Sequence, residues 1–169
     1  MKILSKQRNS RMCMICGLDN EYGVNAPFYN MEDGSVMTVF RYKEQHQSYP
    51  GRVHGGMITA MLDEMGLRSL WAKELSEETF GVTISLDTKY RKPVPYETEL
   101  IGRGVVVKNT SHFIITDSYI MDKDGEILAN GRIKYIKMDT QKIQEGVEVH
   151  EEMPYLVEDG RTEIEGVSV

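Results

Sequence analysis

Met57-Ile58-Thr59-Ala60-Met61-Leu62-Asp63-Glu64-Met65-Gly66-Leu67-Arg68-Ser69-Leu70-Trp71-Ala72-Lys73-Glu74-Leu75 is the one long helical pattern in the chain. Met57, Ile58, Met61, Leu62, Met65, Leu70 and Trp71 recur at three- and four-residue spacing. Ala60 and Gly66 leave little polar surface over the first two turns, so the helix is predicted to be largely buried. Charge arrives with Arg68, Lys73 and Glu74, where the helix is expected to emerge. The period then switches to two. Phe80, Val82, Ile84, Leu86 and Tyr90 alternate with Thr83, Ser85, Asp87, Lys89 and Arg91, and Lys92-Pro93-Val94-Pro95 ends that strand.

Outward from this core, strands are predicted at 97–108, 111–121 and 126–138, the last two joined by a hairpin at Asp122-Lys123-Asp124-Gly125. Upstream, 26–31 and 35–42 read as strands broken by Glu32-Asp33-Gly34. The order β-β-α-β-β-β-β predicts an α+β protein with a long antiparallel sheet curled around one helix. Residues 1–24 read as a polar arm with one helical turn, 25–138 as the folded domain, and 139–169 as an acidic tail, mobile or lying on the surface.

The 169 residues are 27% charged and 40% hydrophobic, as expected of a globular chain. The formal charge of −6 is unevenly placed. Residues 139–169 hold nine acids and two bases, so the remainder is close to neutral. No basic stripe marks a nucleic-acid binder. No apolar run reaches the roughly 18–20 residues that a membrane span needs, and the charges of MKILSKQRNSRM precede no apolar stretch, so no secretory signal is expected. The two cysteines, Cys13 and Cys16, fit a reducing cytoplasm. They leave three readings open: a tight turn ending at Gly17, a redox pair, or half of a four-ligand zinc site shared between subunits.

The stretch richest in chemistry is Tyr49-Pro50-Gly51-Arg52-Val53-His54-Gly55-Gly56. Gly55 and Gly56 at a helix start let backbone approach a ligand closely. The first helical N–H groups lack intrahelical partners and sit at the positive end of the helix dipole, which suits a polarised carbonyl. His54 is placed to orient the loop or to donate a hydrogen bond. Asp63 follows seven residues after Gly56, on the same face but about 10 Å along the axis. That is too far for both to act on one carbonyl. Two antiparallel copies of the helix in a symmetric dimer would bring one of each together, twice.

His54-Gly55-Gly56 with Leu62-Asp63-Glu64, preceded by Tyr-Pro-Gly and followed by Tyr90-Arg91-Lys92-Pro93-Val94, resembles the hotdog-fold acyl-CoA thioesterases of the PaaI type over roughly 25–138. The resemblance implies a hotdog sheet around the central helix and a dimer, or a dimer of dimers, with composite sites. It implies hydrolysis of thioesters of coenzyme A or acyl carrier protein with no cofactor and no metal. By motif position, the oxyanion-binding amide falls on Gly56, the catalytic carboxylate on Asp63, acting as base or nucleophile, and the supporting hydroxyl on Thr83. An upstream amide role falls on Gln47, with Ser48 in the neighbouring register.

Gly55, Arg52, Arg91 and Lys92 are the candidates for binding the coenzyme A thioester, with Arg103 and Lys108 as further bases. Glu64 points about 100° away from Asp63 and reads as a salt-bridge or dimer-contact residue. His46, His112 and His150 read as ordinary surface or strand residues. Two rival functions share the fold: a non-catalytic acyl-CoA sensor, and an enoyl-CoA hydratase or dehydratase. Sensors of this fold carry a DNA-binding helix-turn-helix, for which the 24-residue arm is too short.

Overall fold

The computed structural model describes residues 1–74, 79–138 and 149–165. Three strands, β1 (Ile3–Lys6), β2 (Tyr29–Met31) and β3 (Val36–Phe40), precede helix α1 (Gly55–Glu74). Four longer strands follow: β4 (Phe80–Tyr90), β5 (Leu100–Asn109), β6 (Phe113–Met121) and β7 (Ile127–Met138). A single turn of helix, α2 (Val149–Glu152), comes last. The strands form one seven-stranded sheet in the order β1-β2-β3-β5-β6-β7-β4, with every neighbouring pair antiparallel. The sheet wraps α1, giving the α+β hotdog architecture expected from the sequence. Leu75, the last residue of the predicted helix, lies outside the described residues.

The helix is seated deeply because glycines clear its path. A Cβ on Gly104 of β5 would lie 2.5 Å from the Met65 carbonyl oxygen, and one on Gly66 would lie 2.1 Å from the Tyr135 hydroxyl. Neither contact is sterically possible, so helix and sheet approach closer here than any side chain would allow. Met61, Leu62, Met65 and Leu70 are completely buried in the space so closed.

Two expectations are corrected. The polar arm supplies β1, a strand whose backbone pairs with β2, and it lacks the sustained alternation that makes a strand visible in sequence. Arg68 does not mark the helix's emergence: it is 1% exposed. Its Nε donates to Glu64 at 2.7 Å, its Nη1 donates to the Gln7 side chain and the Arg8 carbonyl, and its guanidinium lies over the Phe28 ring. A charge can be buried where it is paired and its donors are satisfied. Glu64 is thereby a salt-bridge residue.

Of the two courses read for the acidic tail, mobile or lying on the surface, the described part takes the second and is docked. The Ile3 and Asn9 amides donate to the carbonyls of Thr162 and Tyr155, Lys6 pairs with Asp159, and Ile164 is buried among Tyr29, Met31, Met37, Ile101 and Met121. Residues 139–148 and 166–169 lie outside the described residues. Ile164→Ala is expected to cost about 2–5 kcal/mol, the usual range for truncating a buried isoleucine. Urea unfolding of the full chain measures it as a lowered midpoint.

Candidate active site

Strand β4 carries a bulge. Thr83 pairs with Tyr135 and Ser85 with Lys134, so Ile84 is the extra residue. The bulge resets the alternation, letting Thr83, Leu86, Thr88 and Tyr90 share the face toward α1 although their parities differ. It also divides the apolar series read from the sequence: Val82 and Ile84 are 41% and 53% exposed. Thr83 Oγ1 donates to both carboxylate oxygens of Asp63, at 2.8 and 3.1 Å. Further along the crevice Thr59 meets Tyr90 at 2.7 Å, and the Tyr90 hydroxyl donates to the Gly55 carbonyl. The resemblance pointed to Thr83, but the sequence reading missed Thr59 and the Tyr90 hydroxyl beside it, because a bulge leaves no mark in the pattern.

Asp63 is half-buried, and burial pushes its carboxyl above the usual carboxylate value, while the hydrogen bond from Thr83 opposes that rise. The Tyr135 hydroxyl donates to the Asp63 backbone carbonyl at 2.7 Å and fixes that turn of helix. Burial holds the Tyr135 hydroxyl protonated well beyond the normal range.

At the other end, the start of α1 opens onto a pocket of about 530 Å³. Its lining includes Gly55, Gly56, Arg52, Arg91 and Lys92, which the sequence reading assigned to ligand binding or to the oxyanion. Three bases around the half-buried Gly55 and the exposed Gly56 at the helix N-terminus make this end electropositive. Arg91 donates to Asn130 at 2.7 Å, and Lys92 is paired with Glu126. Asp63 is not among the lining residues; its seven-residue separation from Gly56 corresponds to about 10 Å of helix. Within one chain the pocket and the Asp63–Thr83 pair are therefore separate.

His54 acts on the loop. Its Nδ1 accepts the Gly56 amide at 2.9 Å, and its carbonyl receives Met57 at 3.0 Å. His46, read from sequence as an ordinary residue, is buried: Nδ1 accepts the Lys43 amide, Nε2 meets the Tyr22 carbonyl at 2.6 Å, and its carbonyl receives the His54 amide. It clamps the loop that presents the pocket. Gln47 is exposed, its backbone bridging Val53, and its side chain bonds none of the other candidates. Arg103 pairs with Asp33 and Lys108 lies over Phe113, so neither reaches the pocket. His112 is exposed on the β5–β6 turn. The His150 side chain lies outside the description.

The sequence profile described as "Thioesterase superfamily" matches residues 50–129, which run from the pocket loop through α1 and β4 into β7. Over that stretch, 80 of the 169 residues, the chain is similar to the thioesterase superfamily. An acyl-coenzyme A thioesterase of Rattus norvegicus is 25% identical over 140 residues, 82% of this chain and 57% of the relative. The chain spans little more than half the length of the first curated relatives it matches. Among solved structures, a thioesterase superfamily protein superposes with a TM-score of 0.66 at 26% identity, covering 74% of this chain and 63% of that one. A hypothetical thioesterase of Streptococcus pneumoniae, solved with coenzyme A, shares the fold at a TM-score of 0.60 and 19% identity, covering 68% of this chain and 90% of that one. The superfamily match includes Gly55, Gly56, Asp63, Thr83, Arg91 and Lys92, but neither Gln47 nor Cys13 and Cys16.

A carboxyl ¹³C titration is expected to find Asp63 ionising above the ordinary carboxylate value. Thr83→Val removes a bond that favours the charged form, so the pKa is expected to rise further. A fall in that variant would contradict this arrangement.

Proposed function

We propose that this protein hydrolyses an acyl-CoA thioester at a site built from two copies of the chain. The observation that carries the reading is the division of α1. An electropositive pocket sits at its N-terminus, and a carboxylate–hydroxyl pair sits about 10 Å along the helix beside an exposed strand. Strand β4 is the sheet edge, with a ladder only on its β7 side. Val82, Ile84 and Ile136 are exposed there, at 41%, 53% and 43%. An edge of this length with apolar side chains favours pairing with another strand. Docking two copies edge to edge would set their helices antiparallel, bringing Asp63 of each toward the pocket of the other.

In the proposed reaction Arg52, Arg91 and Lys92 receive the phosphates of coenzyme A. The thioester carbonyl displaces His54 Nδ1 from the Gly56 amide and takes that hydrogen bond, which strengthens as the oxygen becomes negative. Asp63 of the other copy removes a proton from water as the water oxygen bonds to the carbonyl carbon. Collapse of the tetrahedral intermediate breaks the C–S bond, and the departing thiolate takes the proton that Asp63 removed from water. Alternatively Asp63 attacks the carbonyl carbon directly and expels coenzyme A as the thiolate; water then hydrolyses the mixed anhydride, releasing the acid and restoring the Asp63 carboxylate. Thr83 orients the carboxylate in either course. Each step is assigned to a protein group, so the proposed reaction needs no metal or cofactor. Two free thiols fit a cytoplasmic setting.

A second reading, acyl-CoA binding without turnover, is favoured by one observation: His54 already occupies the Gly56 amide. An assay of free thiol release across short, long and aryl acyl-CoAs separates the two. Turnover is expected, with Asp63→Asn lowering kcat by about 10²–10⁴. Thermal stabilisation by an acyl-CoA without thiol release would establish the second reading. Ile84→Lys is expected to yield a monomer in sedimentation and to abolish turnover. A fully active monomer would end the shared-site proposal.

A further inference from the structure

The Cys-x-x-Cys turn falls outside the superfamily match, and nothing in the proposed reaction uses it. It packs against α1 one residue from Asp63. Sγ of Cys13, Sγ of Cys16 and a carboxylate oxygen of Glu64 lie within 4.8 Å of one another. Around one tetrahedral zinc, with bonds of about 2.3 Å to sulfur and about 2.0 Å to oxygen, such atoms would stand roughly 3.5–3.8 Å apart. Cys13 Sγ is already 3.9 Å from Glu64 Oε2.

The surroundings have the form of a metal-binding turn. The backbone amides of Ile15 and Cys16 both point at Cys13 Sγ, at 3.3 and 3.5 Å, a pattern that stabilises sulfur carrying negative charge. The Gly17 amide closes the turn on the Cys13 carbonyl at 2.9 Å. A Cβ on Gly17 would stand 2.5 Å from the Cys13 backbone nitrogen, so only glycine permits the turn to close. Asn9, fully buried, donates to the Cys16 and Ala26 carbonyls and ties the turn to the body.

The outer contacts are also in place. Arg68 Nε holds Glu64 Oε1 at 2.7 Å, leaving Oε2 to face Cys13. Ser10 Oγ lies 3.2 Å from Cys16 Sγ. Groups that orient a ligand and share its charge are a regular part of metal sites.

We propose that Cys13, Cys16 and Glu64 form a structural zinc site within one chain, with water as the fourth ligand. Zinc replaces the two thiol protons, which pass to solvent. The ion, two thiolates and one carboxylate sum to −1, and the buried guanidinium of Arg68 brings the cluster to zero. The ion would pin the N-terminal arm to α1 beside the carboxylate that the partner copy is proposed to use, without entering the reaction.

The test is metal analysis of the full chain purified under reducing conditions without chelator, followed by cobalt substitution. About one zinc per chain is expected, and the cobalt form should show thiolate-to-cobalt charge-transfer absorption. Cys13→Ser, Cys16→Ser and Glu64→Gln should each cut zinc to below a tenth per chain in fresh preparations. Ser10→Ala should weaken zinc about 10–100-fold in a chelator competition. Should a cysteine variant fail to fold, the wild-type cobalt spectrum decides alone. Wild-type protein that takes up no zinc under these conditions, or a cobalt spectrum without the thiolate band, would overturn the proposal. So would recovery of Cys13 and Cys16 as a metal-free disulfide.

Discussion

Helix α1 exposes fully only Gly56 at its start and Lys73 and Glu74 at its end, and the enclosure of everything between governs the rest of the molecule. A helix apolar on nearly every side cannot rest on a flat sheet without leaving hydrocarbon in water. Here the sheet bends around it, and Gly66, Gly102 and Gly104 remove the side chains that would hold the two apart. Strand order follows from that wrapping. β5, β6 and β7 form the middle, the short N-terminal strands close one side, and β4 is left as the opposite edge.

That edge carries Thr83, the partner of the Asp63 carboxylate. One bulge at Ile84 turns Thr83 inward to Asp63 and leaves Val82 and Ile84 outside. The same local irregularity therefore supports a carboxylate and creates an apolar surface suited to a second copy. The two functions are coupled by the pleat, since a bulge shifts every later side chain from one face to the other. At the head of the helix, His46 and His54 clamp the loop that sets Gly55 and Gly56 beside Arg52, Arg91 and Lys92, with His54 Nδ1 on the Gly56 amide.

The arm and the C-terminal segment show how polar sequence becomes ordered. Arg68 is buried because Glu64, Gln7, the Arg8 carbonyl and the Phe28 ring surround its guanidinium. Removing any one partner would strand part of a buried charge. The C-terminal segment docks through Ile164 and through backbone pairing to the arm, so a stretch acidic enough to resemble a loose tail completes an apolar cluster.

Much was legible without coordinates. The three- and four-residue spacing of Met57 to Trp71 defined the helix, and the strands after it were located to within about three residues of their observed limits. Both patterns arise from burial of one repeating face, a local property of the chain. The glycine pair, Asp63 and Thr83 were found the same way or by resemblance. The inward turn of Thr83, the burial of Arg68 and His46, the docking of Ile164 and the meeting of Cys13, Cys16 and Glu64 were not. Each depends on partners distant in sequence, whose contribution is the desolvation and pairing of polar groups. Linear spacing encodes which face of an element is apolar. Only the closed tertiary structure decides which polar groups leave water together.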